Sequence, residues 1–131
     1  MDLHGIRVLV AERSHSNQSA KKALLRLGCD VRVASNSSSA LKSWDSTEFD
    51  LVLMDCQMPE VDGFEATREI RRDEARRGGH VPIIAMTANT LEGDRQACLA
   101  AGMDDYLAKP VQLAALRAVV ERFANGVGVA G

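Results

Sequence analysis

The chain has 131 residues, of which 46% are hydrophobic and 26% are charged, and its formal net charge is -2 at pH 7. This length fits a single domain, and the apolar content is too high for an intrinsically disordered chain. The slightly acidic balance argues against a protein that binds nucleic acid through a basic face.

Five short apolar runs are predicted to be β-strands. They span residues 6–11, 31–34, 51–54, 83–86 and, more weakly, 106–108. Apolar runs of this length are typical of parallel strands that are buried on both faces of a sheet.

Amphipathic stretches lie between these runs and are predicted to be helices. Apolar residues recur at helical spacing in two of them, at Ala20, Ala23, Leu24 and Leu27 and at Leu113, Leu116, Val119, Val120 and Phe123. Gly28 and Gly102 lie where helix C-caps are expected, and the serines within residues 35–39 offer an N-cap. The repeated strand–helix order predicts an α/β fold with one parallel sheet and helices on both faces.

The basic residues cluster only between Arg68 and Arg77, where they alternate with acidic residues. Opposite charges one helical turn apart pair with each other on a helix surface. This stretch is therefore interpreted as a solvated helix face and not as a binding surface.

The domain is expected to span residues 1–124, and the glycine-rich residues 125–131 are expected to form a flexible C-terminal linker. Cys29, Cys56 and Cys98 have no metal-binding spacing, so they are interpreted as reduced packing residues. No apolar run reaches the roughly 18 residues that a membrane span needs. A cytoplasmic location is the expectation.

Polar residues follow the apolar runs at the ends of the predicted strands. Glu12 and Arg13 follow the first run, Asp55 the third, Thr87 the fourth and Lys109 the fifth. The carboxyl ends of parallel strands meet at one edge of the sheet, so these side chains are expected to converge. A carboxylate that accepts a phosphoryl group needs positive charge beside the phosphoryl oxygens, which a lysine and a divalent metal supply.

The segment after Asp55, residues 56–63, is predicted to be a loop. Pro59 stiffens it, and Gly63 turns the chain into the next helix. This arrangement makes the backbone carbonyl of Gln57 available as a hard oxygen ligand for a metal.

Three motifs carry a family resemblance. They are MDCQMPEVDGFEATR at residues 54–68, PIIAMTA at residues 82–88 and GMDDYLAKP at residues 102–110. Together they resemble response-regulator receiver domains, most closely those attached to hybrid sensor histidine kinases, and the match covers nearly the whole chain.

The resemblance implies a flavodoxin-like, doubly wound sheet of five parallel strands in the order 2-1-3-4-5, with five helices. It implies that Asp55 accepts a phosphoryl group from the phosphohistidine of a histidine kinase or a histidine phosphotransfer domain. Thr87 and Lys109 would bind the phosphoryl oxygens, and Tyr106 would be an aromatic switch that works with Thr87. The chain itself is expected to have no kinase activity, no nucleic-acid partner and no direct membrane contact. It is expected to be cytosolic, either by itself or as the cytosolic part of a membrane-anchored sensor kinase.

The chain departs from the receiver pattern after the first strand. Receivers usually have two adjacent acids there, whereas this chain has Glu12 followed by Arg13. Arginine has no lone pair for a cation and is always protonated, so it removes a ligand and adds repulsion. A magnesium ion would depend on Glu12, Asp55 and the Gln57 carbonyl, and we expect its binding to be weakened or absent.

Three alternatives compete with a working phosphoacceptor. The strongest is a pseudo-receiver, a protein-interaction module that never accepts phosphate, because Arg13 disturbs the metal site. A flavin-binding protein of the same architecture would use Ser14, Ser16 and Ser19 as an anion cradle, but Glu12 and Asp55 would repel the flavin phosphate. An aspartyl phosphohydrolase would need a second acid where this chain has Gln57.

Overall fold

The chain alternates strands and helices, as its sequence predicts. The computed structural model describes residues 5–11, 19–34, 37–46, 48–55, 63–87, 92–108 and 111–125. The strands are β1 Arg7–Ala11, β2 Asp30–Ala34, β3 Leu51–Asp55, β4 Ile83–Thr87 and β5 Asp105–Ala108. The helices within these residues are α1 Ser19–Arg26, α2 Ser37–Ser46, α3 Gly63–Arg77, α4 Glu92–Ala101 and α5 Leu113–Val120, and α5 continues into a π-helical turn, Glu121–Asn125. None of these helices is long and apolar enough to cross a membrane.

The five strands form one parallel sheet in the order β2-β1-β3-β4-β5. This confirms the predicted doubly wound fold and its strand order. All five residues of the central strand β3 are buried, whereas exposure alternates along β2 at the end of the sheet. The continuous apolar run of β3 is thus explained by helices packed on both of its faces.

Two hydrophobic cores lie on opposite faces of the sheet. The first-face core joins the sheet to α1 and α5 and includes Val8, Val10, Leu24, Leu51, Leu53, Met86, Leu107, Leu116 and Val120. The second-face core joins the sheet to α2, α3 and α4 and includes Leu9, Ala40, Val52, Met54, Ala66, Ile70, Ile83, Ala85 and Cys98. Successive residues of one strand alternate between the two cores, as the period of a strand requires.

Glycines end two helices, as predicted. Gly28 has φ 94° and Gly102 has φ 110°, both in the left-handed region that favours glycine. After α1, the backbone N–H of Cys29 donates to the carbonyl of Leu24 at 3.1 Å, and after α4 that of Met103 donates to the carbonyl of Cys98 at 3.0 Å. The predicted serine N-cap lies in part outside the described residues, and α2 begins at Ser37.

The charged surface of α3 agrees with the sequence prediction except at three residues, one of which is Asp73, whose side chain is 17% exposed and accepts a hydrogen bond from Trp44. Four arginines, Arg68, Arg72, Arg76 and Arg77, are exposed and form ion pairs with acidic residues nearby on the helix. The side chains of Arg71 and Glu74, however, are only 18% and 7% exposed and bond each other at 2.6 Å. The prediction of a fully solvated face was wrong here, because both residues border the buried stripe that contains Ile70.

Two of the three cysteines, Cys29 and Cys98, are buried thiols that form no disulfide. Burial, followed by the negative charge of Asp30, raises the pKa of the Cys29 thiol above its ordinary value. This keeps the thiol protonated and unreactive, which supports a packing role. Cys56 lies outside the described residues.

Candidate functional site

Asp55 is the last residue of β3 and is 2% exposed. It follows four fully buried residues on the central strand and pairs with Met86 of β4. Strand alternation places it on the same side as Leu51 and Leu53, towards the first-face core. The chain therefore places a carboxylate where the apolar core ends at the carboxyl edge of the sheet.

Thr87 lies next to this position on the neighbouring strand. It is the last residue of β4 and follows Met86, the pairing partner of Asp55, so Thr87 lies one register step beyond Asp55 and, by strand alternation, on the second face of the sheet. Its side chain is half-buried. The register of the parallel ladder thus brings a hydroxyl and a carboxylate to the same edge of the sheet.

Tyr106 lies on β5 and pairs with Ala85 of β4. Its half-buried ring packs against the second-face core, which also contains Ala85. Thr87 is two residues beyond Ala85, so strand alternation puts it on the same face as Tyr106. The two residues for which a joint switch is predicted are therefore diagonal neighbours on adjacent strands.

Four residues of the predicted site lie outside the described residues: Glu12, Arg13, Gln57 and Lys109. In the sequence, Glu12 directly follows β1 and Lys109 directly follows β5, while Gln57 is two residues beyond the end of β3. Their roles stay predictions that rest on these chain positions.

The donor chemistry for a divalent metal is present in part. The Asp55 carboxylate is a hard oxygen donor of the kind that magnesium prefers. Within the described ranges, no group of three or more His, Cys, Asp or Glu residues is arranged to hold a metal ion. A magnesium site would therefore need the predicted donors from Glu12 and Gln57 beside Asp55.

A cleft of ≈ 630 Å³ lies at the opposite edge of the sheet. Its lining includes Trp44 near the end of α2, Phe49 before β3, and Pro82 before β4. These residues are at the amino ends of the strands, whereas Asp55 and Thr87 are at the carboxyl ends. The cleft is therefore separate from the predicted site.

A polar network centred on Arg71 was not predicted from the sequence. The guanidinium donates to the Gly102 carbonyl at 2.9 Å, the Val81 carbonyl at 2.8 Å and the Asp104 carboxylate at 2.8 Å. A signal was present in the sequence, because Arg71 follows the apolar Ile70 directly and therefore borders the buried stripe of its helix.

A family model described as the response regulator receiver domain matches residues 8–121. Hybrid signal transduction histidine kinase I of Dictyostelium discoideum is 43% identical to the chain over 111 residues, which are 80% of this chain and 6% of that protein. The chain thus spans only a small part of the length of this relative.

Solved structures give the same likeness. One of them is the receiver domain of sensor histidine kinase PA1611 from Pseudomonas aeruginosa PAO1, which was crystallised with a magnesium ion coordinated in its active site cleft. It is 43% identical to this chain, with a TM-score of 0.83, and the match covers 92% of this chain and 98% of that one. The co-crystal structure of the Saccharomyces cerevisiae histidine phosphotransfer protein Ypd1 and the receiver domain of the response regulator Ssk1 contains a chain that is 31% identical, with a TM-score of 0.87, over 92% of this chain and 89% of that one.

Proposed function

The chain belongs to the response-regulator receiver family, and from this premise we propose that it is a phosphoacceptor receiver domain of a two-component phosphorelay with Asp55 as the acceptor. The observation that supports this proposal most directly is the position of Asp55, a carboxylate 2% exposed at the carboxyl end of the central strand. Thr87 supports this role, because it brings a hydroxyl that can bind a phosphoryl oxygen to the same edge of the sheet, one register step beyond Asp55 on the neighbouring strand.

The proposed chemistry is a transfer between a nitrogen and an oxygen. A carboxylate oxygen of Asp55 attacks the phosphorus of a phosphohistidine, the P–N bond breaks, and the imidazole nitrogen leaves with the electron pair and takes up a proton. An acyl phosphate forms on Asp55. The Thr87 hydroxyl and the Lys109 ammonium are proposed to bind the phosphoryl oxygens, where they stabilise the negative charge of the transition state.

Magnesium is the proposed cofactor, and we propose that this chain binds it weakly or not at all. Glu12, Asp55 and the backbone carbonyl of Gln57 are the proposed ligands, and when bound the ion neutralises charge on the phosphoryl oxygens. Arg13 stands where receivers usually have a second acid, and its positive charge disfavours a cation close to it. We therefore propose that phosphorylation of this chain depends little on magnesium.

The proposed partner is a histidine kinase or a histidine phosphotransfer domain in the cytoplasm. The relative from Dictyostelium discoideum is a hybrid histidine kinase, and the Ssk1 receiver domain was crystallised with the phosphotransfer protein Ypd1. A partner could contact an apolar side chain near the proposed site. Leu113 begins α5, the helix that follows the carboxyl end of β5, and it is 41% exposed. We propose that the chain itself contacts neither nucleic acid nor a membrane.

A pseudo-receiver is the second candidate, and Arg13 is the feature that favours it. If the Arg13 guanidinium occupies the site and bridges the carboxylates of Glu12 and Asp55, it takes the place of the metal and blocks the acceptor. The fold would then serve as a binding module that does not take phosphate.

Intact mass measurement after incubation with acetyl phosphate, with and without magnesium, separates the two candidates. A phosphoacceptor gains the mass of one phosphoryl group, and the gain is lost at alkaline pH because acyl phosphates are base-labile. The same gain should be absent in Asp55→Asn and present in Asp45→Asn, a control at an exposed carboxylate on α2. A chain that gains nothing in either condition is a pseudo-receiver, and an adduct that persists in Asp55→Asn contradicts the assignment of the acceptor.

A further inference from the structure

The guanidinium of Arg71 bonds four residues, which lie in three parts of the chain: α3 itself, the segment before β4 and the connection between α4 and β5. Besides its bonds to the carbonyls of Gly102 and Val81, it pairs with Glu74 on its own helix and with Asp104, which directly precedes β5. The Arg71 side chain is 18% exposed and that of Asp104 is 22% exposed. Charge-assisted hydrogen bonds in such a shielded place are stronger and better oriented than exposed ion pairs.

Asp104 is also bonded twice to one residue of the neighbouring strand. Its backbone N–H donates to the carbonyl of Ile83 at 2.8 Å, and its carboxylate oxygen Oδ2 accepts the backbone N–H of Ile83 at 2.8 Å. The same oxygen accepts from Arg71, and the other oxygen, Oδ1, lies 2.7 Å from Nε2 of His80. The start of β5 is thereby fixed against the first residue of β4.

This double contact coincides with the register of the β4–β5 ladder. The ladder pairs Ile84 with Asp105 and Ala85 with Tyr106, one and two residues beyond the contact between Ile83 and Asp104. A slip by one residue would turn the Tyr106 side chain to the opposite face of the sheet, because strand side chains alternate.

The register needs such an anchor because the ladder itself is short. β5 has four residues and lies at the end of the strand order, so within the described sheet it pairs with β4 alone. β3, in contrast, has five buried residues between β1 and β4. A loss of the anchor should therefore disturb β5 and leave β3 in place.

We propose that Asp104, oriented by Arg71, is a positioning residue of this receiver: it fixes the β4–β5 register that keeps Tyr106 beside Thr87 and thereby couples the two. This inference rests on the proposed function, since the coupling matters only if Asp55 accepts phosphate. The partners of Asp104 are Arg71, His80 and Ile83, and none of them belongs to the proposed phosphorylation site. Thr87 is four residues along β4 from Ile83, about 13 Å at the rise of a strand.

Two substitutions separate positioning from general stability. Asp104→Ala removes both the acceptor for the Ile83 N–H and the partner of Arg71, whereas Asp104→Asn keeps an oxygen that can accept the Ile83 N–H. Both variants are measured with the wild type by amide NMR, before and after phosphorylation, at a temperature where each is folded by circular dichroism. Arg71→Met, which keeps much of the apolar stem, replaces Asp104→Ala if the latter fails to fold.

The expected result is a split between chemistry and response. The fraction of protein phosphorylated at Asp55, measured by intact mass, should stay within about twofold of the wild-type value in each variant, because β3 is unaffected. The phosphorylation-induced shift of the Tyr106 amide should fall by more than half in Asp104→Ala and be largely retained in Asp104→Asn. A full Tyr106 response in Asp104→Ala, or a loss of phosphoryl gain in step with the Tyr106 response, overturns the proposal.

Hydrogen exchange of the unphosphorylated protein tests the register independently of the proposed function. In Asp104→Ala the Tyr106 amide should exchange at least about tenfold faster than in the wild type, while the Leu53 amide of β3 should exchange as before. Equal acceleration in both strands means general destabilisation, and no acceleration means that Asp104 is not an anchor; either result overturns the proposal. A wild type that takes no phosphate but shows the predicted exchange contradicts the proposed function and leaves the register anchor standing.

Discussion

Trp44 donates its indole N–H to the Asp73 carboxylate oxygen Oδ2 at 3.0 Å, and this bond fixes α2 to α3. Together with hydrogen bonds from Arg77, it holds the pKa of Asp73 below its ordinary value of 3.8. A carboxyl group whose pKa is lowered by folding stabilises the folded state above its ordinary pKa, and this contribution is lost as the pH falls through the lowered value.

The first prediction concerns this pH dependence. Asp73→Asn should lower the free energy of unfolding at neutral pH, and the gap to the wild type should narrow as the pH falls below 3.8. Urea unfolding followed by circular dichroism at several pH values measures the gap. Asp45→Asn is the matched control. The Asp45 carboxylate is 74% exposed, and its distance of 4.0 Å from Arg77 is too long for a hydrogen bond, so this change should leave the free energy of unfolding close to that of the wild type. A gap that stays constant with pH would contradict the prediction.

The second prediction concerns the glycine after α4. Gly102 has φ +110°, and a Cβ there would lie 3.0 Å from Cγ of Arg71. Gly102→Ala should cost about 2 kcal/mol of unfolding free energy, because left-handed strain adds to the displacement of Arg71. Gly78→Ala has similar strain, with φ +88° and nothing within 4 Å, and should cost only about 1 kcal/mol.

Urea unfolding midpoints at unchanged slope give both values. The difference between the two variants isolates the contact with Arg71, because the backbone strain is common to both. Equal losses in the two variants would show that Arg71 moves away freely and that its network is not tightly held.

The buried strands and helix ends were predictable because each has a local signal. The run 51–54 is apolar throughout and is buried throughout as β3, and Gly28 and Gly102 have the positive φ that their C-cap positions require. Asp55 and Thr87 share an edge because parallel strands align their carboxyl ends, a rule that needs only the element order.

The network around Arg71 was not predictable from charge pattern alone. In sequence Arg71 resembles Arg68 and Arg72, which are exposed, and only its place beside the buried stripe distinguishes it. Its partners Gly102 and Asp104 are more than 30 residues away along the chain, and their approach depends on the packing of α3 against the sheet. The element order likewise predicts only which strands Glu12, Gln57 and Lys109 follow, and it does not predict where their side chains point.

The third prediction concerns the coupled response of β4 and β5. Thr87 and Tyr106 lie on one face as diagonal neighbours, so movement of the Thr87 hydroxyl towards a phosphoryl group opens space that the Tyr106 ring can fill. Amide shifts on phosphorylation should therefore extend from Thr87 to Tyr106 and to α4 and α5. Thr87→Ala should take phosphate more slowly, because it lacks a hydroxyl that binds the phosphoryl oxygens, and once phosphorylated it should lose the shift at Tyr106. Thr67→Ala, the same change at a buried threonine of α3, should keep the shift. Shifts confined to the surroundings of Asp55 would show that the two residues are not coupled.

The fourth prediction concerns partner binding at the site edge. Leu113→Glu should slow transfer from a histidine phosphotransfer protein about tenfold, because it puts a charge on an exposed apolar contact, and should leave phosphorylation by acetyl phosphate unchanged. Leu25→Glu is the matched control: Leu25 is 51% exposed in the last turn of α1, towards the other edge of the sheet. Equal effects of both changes on transfer would argue against docking at this edge.

The last prediction concerns Arg13, where the sequence departs from the receiver pattern. Arg13→Asp replaces a positive charge by a hard oxygen ligand, so magnesium affinity should rise at least about tenfold, which corresponds to ~1.4 kcal/mol. Titration calorimetry is the appropriate measurement, because Trp44 lies at the opposite edge of the sheet, bonded to Asp73, and its fluorescence is not expected to report the ion. Arg13→Ala removes the charge without adding a ligand and separates repulsion from the missing oxygen: a rise in both variants assigns the effect to repulsion, and a rise in Arg13→Asp alone assigns it to the ligand. A wild type that already binds magnesium as tightly as Arg13→Asp would show that the Arg13 side chain points away from the site and that Glu12, Asp55 and Gln57 suffice.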